Sequence, residues 1–265
     1  MPDQSRLPAR AQRDIELHLE IHRVWHENFC VYRVRKTWKQ LKPRAYSCRQ
    51  MHGAAADVRS GLRGAIRGKG FKTTIADESA WRPADLVNRK FTAERPNQLR
   101  VADFTYVATW RGSVFVAFVI DVFSRMIVGW RVSTSMKTDF VLDALEQALH
   151  ARNDLEGVIH HGDRGTQYLS IRYGERLAQS GIEPSVGTSG DSYDNALAEL
   201  IKGLYKAEII HRRGPWRNVE GVEFASLEWV DWFNHRRLLE PIGDIARVEF
   251  EQMYYQQQQS LAIAA

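Results

Sequence analysis

Apolar positions repeat at helical spacing over residues 13–29 and 33–42, which predicts two helices near the start of the chain. After a loop region containing Pro83 and Pro96, "RVADFTYVAT" (100–109) alternates as a strand, and strand-like runs follow at 113–121 and 126–133. The period then changes. "TDFVLDALEQALHARN" (138–153) predicts a helix with Thr138 or Asp139 as its cap and Phe140, Leu142, Leu145 and Leu149 as its apolar positions. "GVIHHGD" (157–163) reads as a short buried strand ending in an aspartate, "IRYGERLAQSG" (171–181) as a helix stopped by Gly181, and "EPSVG" (183–187) as another short strand. Three strands, helix, strand, helix, strand, helix is an α/β order.

The last helix of that order lies in "GDSYDNALAELIKGLYKAEII" (190–210). Leu197, Ile201 and Leu204 recur at i, i+4 and i+7 and predict its buried stripe, while Glu199, Gly203 and Lys206 share another side. A glycine inside a helix costs about 1 kcal/mol against alanine, so Gly203 calls for a reason.

Composition sets the class. With 265 residues, 44% hydrophobic and 11% aromatic, the chain is globular and long enough for one core domain plus a smaller region. Its longest apolar run, 113–130, is broken by Asp121 and Arg125 and falls short of the roughly 20 residues of a membrane span. Residues 1–20 carry charges throughout and lack the apolar stretch of a signal peptide, and two cysteines, Cys30 and Cys48, cannot staple a fold of this size, so a reducing cytoplasm is expected. Charge is uneven. Residues 1–90 hold 19 Lys and Arg against nine Asp and Glu, whereas the remainder holds 18 against 23. A basic arm on a slightly acidic body points to a polyanionic partner.

Three carboxylates fall where a charge is awkward: Asp103 mid-strand on the face of Val101 and Val107, Asp163 at a strand end, and Glu199 on the helix just described. Ionised carboxylates inside a sheet are expensive unless paired or bound to metal, and converging ones repel unless a cation lies between them. Oxygen ligands favour magnesium or manganese over zinc, and a pair of such ions serves phosphoryl transfer. His18 and His22 with Cys30 and Cys48 imitate a zinc arm, but the cysteines lie too far apart for one.

The residues "DFTY" around Asp103, "HHGDRGTQY" around Asp163 and "GDSYDNALAE" ending at Glu199 carry a resemblance. They resemble the retroviral-integrase-like core of insertion-sequence transposases, more closely the second-frame (OrfB) subunit of copy-out, paste-in elements. Between Asp163 and Glu199 lie 35 residues, the family's separation, and Lys206 stands seven positions after the glutamate where the family has a basic residue. The likeness runs from about Val87 to near Tyr255 and includes "VAFVIDVFSR", "IVGWRVS" and "LEWVDWFNHRRLLEPIG".

The resemblance implies a ribonuclease-H-like core, a mixed five-stranded sheet flanked by helices, over 87–245. A basic, mainly helical region precedes it at 1–86, and a helical, Gln-rich tail follows at 246–265. It implies Asp103, Asp163 and Glu199 as ligands of two magnesium ions, with manganese as a substitute, for DNA cleavage and strand transfer at element ends. Lys206 is expected on the DNA backbone, with Lys202, Arg236 and Arg237 as further DNA contacts and His161 and Asn195 as supporting residues. Gly203 would give the strand room to approach. In the closing helix, Trp229, Trp232 and Phe233 are expected in the core, and Asn234, His235, Arg236 and Arg237 on a DNA-facing edge. Implied partners are element-end and target DNA, an upstream first-frame subunit that supplies a helix-turn-helix, and further copies of the chain. The implied setting is a bacterial cytoplasm, at the nucleoid.

The chain also departs from the family. Arg100 replaces a tryptophan, Gly162 a serine, Leu200 a small hydroxyl residue and Lys202 an asparagine, and a proline pair is absent near Ala246 and Arg247. "CRQMHGAAADV" (48–58) interrupts the likeness before "GLRGAIRGK" restores it, and a codon set for it read one nucleotide later encodes the family's helix; residues 43–60 are therefore expected to be frame-altered. Two readings stand: an active transposase, favoured by the intact acids, and a decayed DNA-binding relative without catalysis, favoured by these departures.

Overall fold

The computed structural model describes residues 8–41, 64–65, 83–152, 155–163, 165–187 and 195–264. The stretch expected to be frame-altered, 43–60, lies outside the described residues.

The chain divides into two compact units, residues 1–66 with 238–244, and residues 67–237 with 245–265. This division differs from the boundaries expected from sequence, since the last helix belongs to the larger unit and a short segment at 238–244 to the smaller. In the smaller unit, α1 (Ala9–Glu27) buries Leu17, Ile21 and Val24, one apolar stripe at helical spacing, and α2 (Val34–Leu41) follows. The Leu238 amide donates to the Tyr32 hydroxyl at 2.8 Å, and Lys39 pairs with Asp244 at 2.9 Å, which tie 238–244 to these helices.

The larger unit is built on a five-stranded sheet of β1 (Leu99–Thr109), β2 (Gly112–Asp121), β3 (Ile127–Ser133), β4 (Ile159–Gly162) and β5 (Glu183–Val186) in the spatial order β3-β2-β1-β4-β5. β1, β2 and β3 form an antiparallel meander, while β4 and β5 run parallel to β1. This is the mixed sheet of a ribonuclease-H-like fold. Parallel neighbours need crossover connections, which α3 (Thr138–His150) and α4 (Ile171–Gln179) provide. Phe140, Leu145 and Leu149 of α3 are buried as its period predicts, whereas Leu142 is half-buried. The expected cap differs: Lys137 holds that position without a side-chain bond, and Asp139 turns to Arg172 of α4 instead. At Gly181, φ is +69° and the Gly181 and Ile182 amides return to Ala178 and Leu177, which ends α4 as expected.

On the opposite face of the sheet, α5 (Ala196–Tyr205) packs on β1 and α6 (Val219–His235) on β3. Trp229, Trp232 and Phe233 are fully buried, with Phe118, Tyr205 and Trp229 in edge-to-face and tilted contact. Asn234 locks α6 to the start of β3, its amide oxygen accepting from the Ile127 N–H at 3.0 Å and its amide nitrogen donating to the Ile127 carbonyl at 2.9 Å. α7 (Arg247–Ala264) closes the chain. The Arg247 guanidinium lies 3.5 Å from the Phe233 ring centroid and donates to the Arg125, Phe233 and Arg237 carbonyls, so the start of α7 is a buried anchor.

Candidate active site

β1 and β4 pair in parallel with one constant offset, Leu99 with Ile159 through Ala102 with Gly162. One step further along the same register stand Asp103 and Asp163. Adjacent strands are about 4.8 Å apart, so the backbone sets the two aspartates side by side at the C-terminal end of β4. β4 stops there, and beyond Ala102 only an isolated bridge from Thr109 to Trp216 pairs with that side of β1 among the described residues. The edge of β1 past Asp103 is therefore open to the approach of α5.

α5 packs on β1 and brings Lys202 over this edge, with Glu199 one turn before it on the same helix. Asp103 is buried on the face it shares with Val101, Thr105 and Val107, and Glu199 is half-buried, while Asp163 is exposed. Asp103 Oδ1 accepts from the Phe104 N–H at 2.7 Å, and the Lys202 ammonium donates to Oδ2 at 2.5 Å. Burial pushes the Asp103 carboxyl up to about 6, with Lys202 opposing and the negative charge of Asp163 adding to the rise. Burial works against the Lys202 charge, but Asp103, then Glu199 and Asp163, more than offset it and hold that ammonium above the usual lysine range. The lysine thus feels all three acids. No three acidic, histidine or cysteine side chains among the described residues already form a metal-holding group. The donor chemistry nevertheless suits a hard divalent cation: carboxylate oxygens at one sheet end, with a cation already drawn in among them.

The expected supporting residues fall on either side of the acids. Asn195, just before α5, donates to the Ala102 carbonyl at 3.1 Å and so ties the start of the Glu199 helix to β1, one residue from Asp103. His161 bonds the Ser185 hydroxyl at 2.9 Å and lies 4.0 Å from Asp85, joining β4 to β5. Lys206 stands over the ring of Tyr106, 4.8 Å from its centroid, with burial and then Lys202 lowering its pKa. Tyr106 is an exposed aromatic on β1 that alternation alone does not single out.

Three expectations are corrected by burial. Arg237 does not face outward: it is 5% exposed and holds Glu208 through three bonds of 2.5 to 3.1 Å. Asn234, locked to β3, is buried as well, so of that edge only His235 and Arg236 reach the surface. The buried stripe of α5 is Leu197, Ala198, Ile201 and Tyr205, with Leu204 only half-buried. Leu204 flanks that stripe, whose centre runs through Ile201 to Tyr205; beyond it α5 runs into a π-helical segment, Lys206–Ile210, before a last turn, His211–Arg213. Within that segment Glu208 is buried, holding Arg237 and accepting from the Trp229 indole N–H at 3.1 Å.

The departures also take a place. Arg100 is fully buried and bonds Asn97 at 3.0 Å; burial lowers its pKa to about 10. At Gly162 a Cβ would stand 3.3 Å from the Tyr168 side chain, so the glycine lets that ring close over the end of β4. Leu200 points to solvent.

The Integrase core domain family matches residues 93–192, a span that includes Asp103 and Asp163 and ends before Glu199. The chain is 55% identical over 247 residues to the transposase for insertion sequence element IS629 of Shigella sonnei, covering 93% of this chain and 82% of that protein. The chain belongs to the insertion-sequence transposases with an integrase core. A putative transposase for IS986/IS6110 of Mycobacterium tuberculosis is 52% identical to this transposase over 261 residues, 96% of this chain and 94% of that one. The HTLV-2 integrase catalytic core domain, solved in complex with magnesium, is 17% identical with a TM-score of 0.48, covering 60% of this transposase and 99% of that chain. No helix of the transposase is long and apolar enough to cross a membrane, among the described residues.

Proposed function

We propose that this transposase cuts and joins DNA at the ends of an insertion sequence, with Asp103, Asp163 and Glu199 holding divalent metal. The observation that carries the reading is the β1–β4 register, which continues onto Asp103 and Asp163, beneath a helix that adds Glu199. Magnesium, or manganese in its place, would activate the attacking water or DNA 3′-hydroxyl and neutralise the leaving oxygen. Asp103 supplies an oxygen fixed by its strand and by the Phe104 amide, Asp163 one at the exposed strand end, and Glu199 one from the helix. Asn195 keeps that helix in register with β1. Lys206 and exposed Arg236 would meet phosphates, and the basic residues 1–90 would hold DNA with little sequence preference and strong salt dependence. End recognition and assembly would need a first-frame partner and further copies of the chain, acting on DNA in the bacterial cytoplasm.

The catalytic reading is preferred to that of a decayed DNA-binding relative because all three carboxylates are kept and act on one ammonium. Strand transfer with labelled element ends tests it. Asp103→Asn, Asp163→Asn and Glu199→Gln should each abolish the reaction with the circular-dichroism spectrum unchanged, since each removes a ligand charge and hardly any volume. Near-normal activity in any one would remove that residue from the ligand set.

A further inference from the structure

Lys202 occupies a position that a metal ion would need. Its ammonium lies on Asp103 Oδ2, the buried acid of the set, and it feels Glu199 and Asp163 as well. Its side chain is 27% exposed, so the stem has somewhere to swing, whereas the Asp103 side chain at 8% has not. The other Asp103 oxygen is engaged by the Phe104 amide, which leaves Oδ2 as the freer of the two lone-pair sets for a cation. One oxygen cannot take the ammonium head-on and complete a tight octahedral shell at the same time. Lys206, one turn further on, stands over Tyr106, so among the described residues the lysine bonded to Asp103 is Lys202.

We infer that Lys202 is a tethered cation that closes the acidic site until a divalent ion displaces it, and that DNA eases the exchange by offering the released ammonium a phosphate. The inference rests on the metal-holding role proposed for the three acids. Without metal the lysine keeps converging carboxylates from repelling one another; with metal it becomes a competitor. Its removal therefore acts in opposite directions under the two conditions, which an ordinary surface lysine would not do.

Magnesium binding to the full chain, followed by calorimetry, and melting with and without EDTA test this. Lys202→Met keeps the stem and removes the charge, and Lys202→Gln serves as a second variant if the first folds poorly. Each should bind magnesium at least tenfold more tightly than the unaltered chain, yet melt lower in EDTA and recover on adding magnesium. A short DNA duplex should tighten magnesium binding in the unaltered chain far more than in either variant. Asp103→Asn should weaken magnesium binding in every background. If Asp103→Asn weakens it while both Lys202 variants bind no more tightly than the unaltered chain, the tethered-cation inference is overturned and the metal site stands. If Asp103→Asn leaves binding untouched, the metal site itself is wrong and the inference falls with it.

Discussion

Gly129 of β3 lies so close to the Ala144 carbonyl of α3 that a Cβ at 129 would overlap that oxygen, and it would press on Ala148 as well. The glycine is what lets helix and sheet touch backbone to backbone. Gly129→Ala must push α3 away and loosen the Phe140, Leu145 and Val119 cluster beneath it. A loss of at least about 3 kcal/mol is expected in urea unfolding, at the upper end for overpacking. A loss below about 1 kcal/mol would mean that α3 sits further from the sheet.

Glu208 and Arg237 hold each other in the interior at 2.5 Å, with the Trp229 indole as a third partner. Removing one side of such a pair strands the other charge, so Arg237→Ala and Glu208→Ala should each cost about 3 to 5 kcal/mol. DNA affinity measured at a temperature where the variants remain folded should be nearly unchanged, because Arg237 does not reach the surface. A large fall in affinity in a folded Arg237→Ala variant would restore it to the DNA-facing edge.

Lys206 and Ile201 separate contact from packing on one helix. Lys206→Ala should weaken DNA binding and lower the salt slope by about one unit, with stability moving by no more than about 0.5 kcal/mol. Ile201→Ala, on the buried stripe, should cost about 2 to 5 kcal/mol and lose activity only through unfolding. Leu204→Ala should cost clearly less than Ile201→Ala, since Leu204 is half-buried. Titration of DNA against salt beside urea unfolding of the three variants checks this, and equal losses at 201 and 204 would contradict the observed stripe.

His160 is buried in β4, bonded to the Tyr173 hydroxyl at 2.8 Å, and its pKa is lowered to about 3, by burial first and then by Arg100 and His161. A pKa depressed below the unfolded value of about 6.5 means that the unfolded chain binds the proton first. The contribution is fully present above pH 6.5 and is lost as pH falls toward 3. Between pH 6.5 and 5 the loss is on the order of 2 kcal/mol. His160→Gln, which cannot titrate, should flatten that part of the stability profile measured by urea unfolding. An identical slope in the variant would place the titration elsewhere.

Much of this arrangement was legible in the residues themselves. Alternation in 100–109 and the helical period in 138–153 found β1 and α3 because each element buries one face of its own, and burial is what periodicity reports. Asp103 and Asp163 stood out because a strand is an awkward place for a charge. Pairing between side chains distant in sequence left no such trace. The bonds of Lys202 to Asp103 and of Arg237 to Glu208 depend on how α5, α6 and the segments that follow them lie on the sheet, so both basic residues read as DNA contacts. Leu204 and Tyr205 stand at i+7 and i+8 from Leu197, both close to its face, and periodicity alone does not say which of the two the sheet covers; it is Tyr205.

The π-helical segment Lys206–Ile210 lies between two sets of partners along a continuous run of helix. Residues up to Tyr205 are oriented by β1 and the acids, and residues from Ala207 onward by Arg237, Trp229 and the core around them. Losing one residue between 206 and 210, other than Glu208, would let the wide π-helical turn tighten into an ordinary α-helical one, because a single extra residue is what such a turn absorbs. Both halves would keep the faces they now present, Glu199 on the side of β1 and Glu208 on its arginine. The wide turn therefore gives this run of helix one residue of slack, and a single deletion there should be easier to accommodate than one inside α6, where no such turn lies.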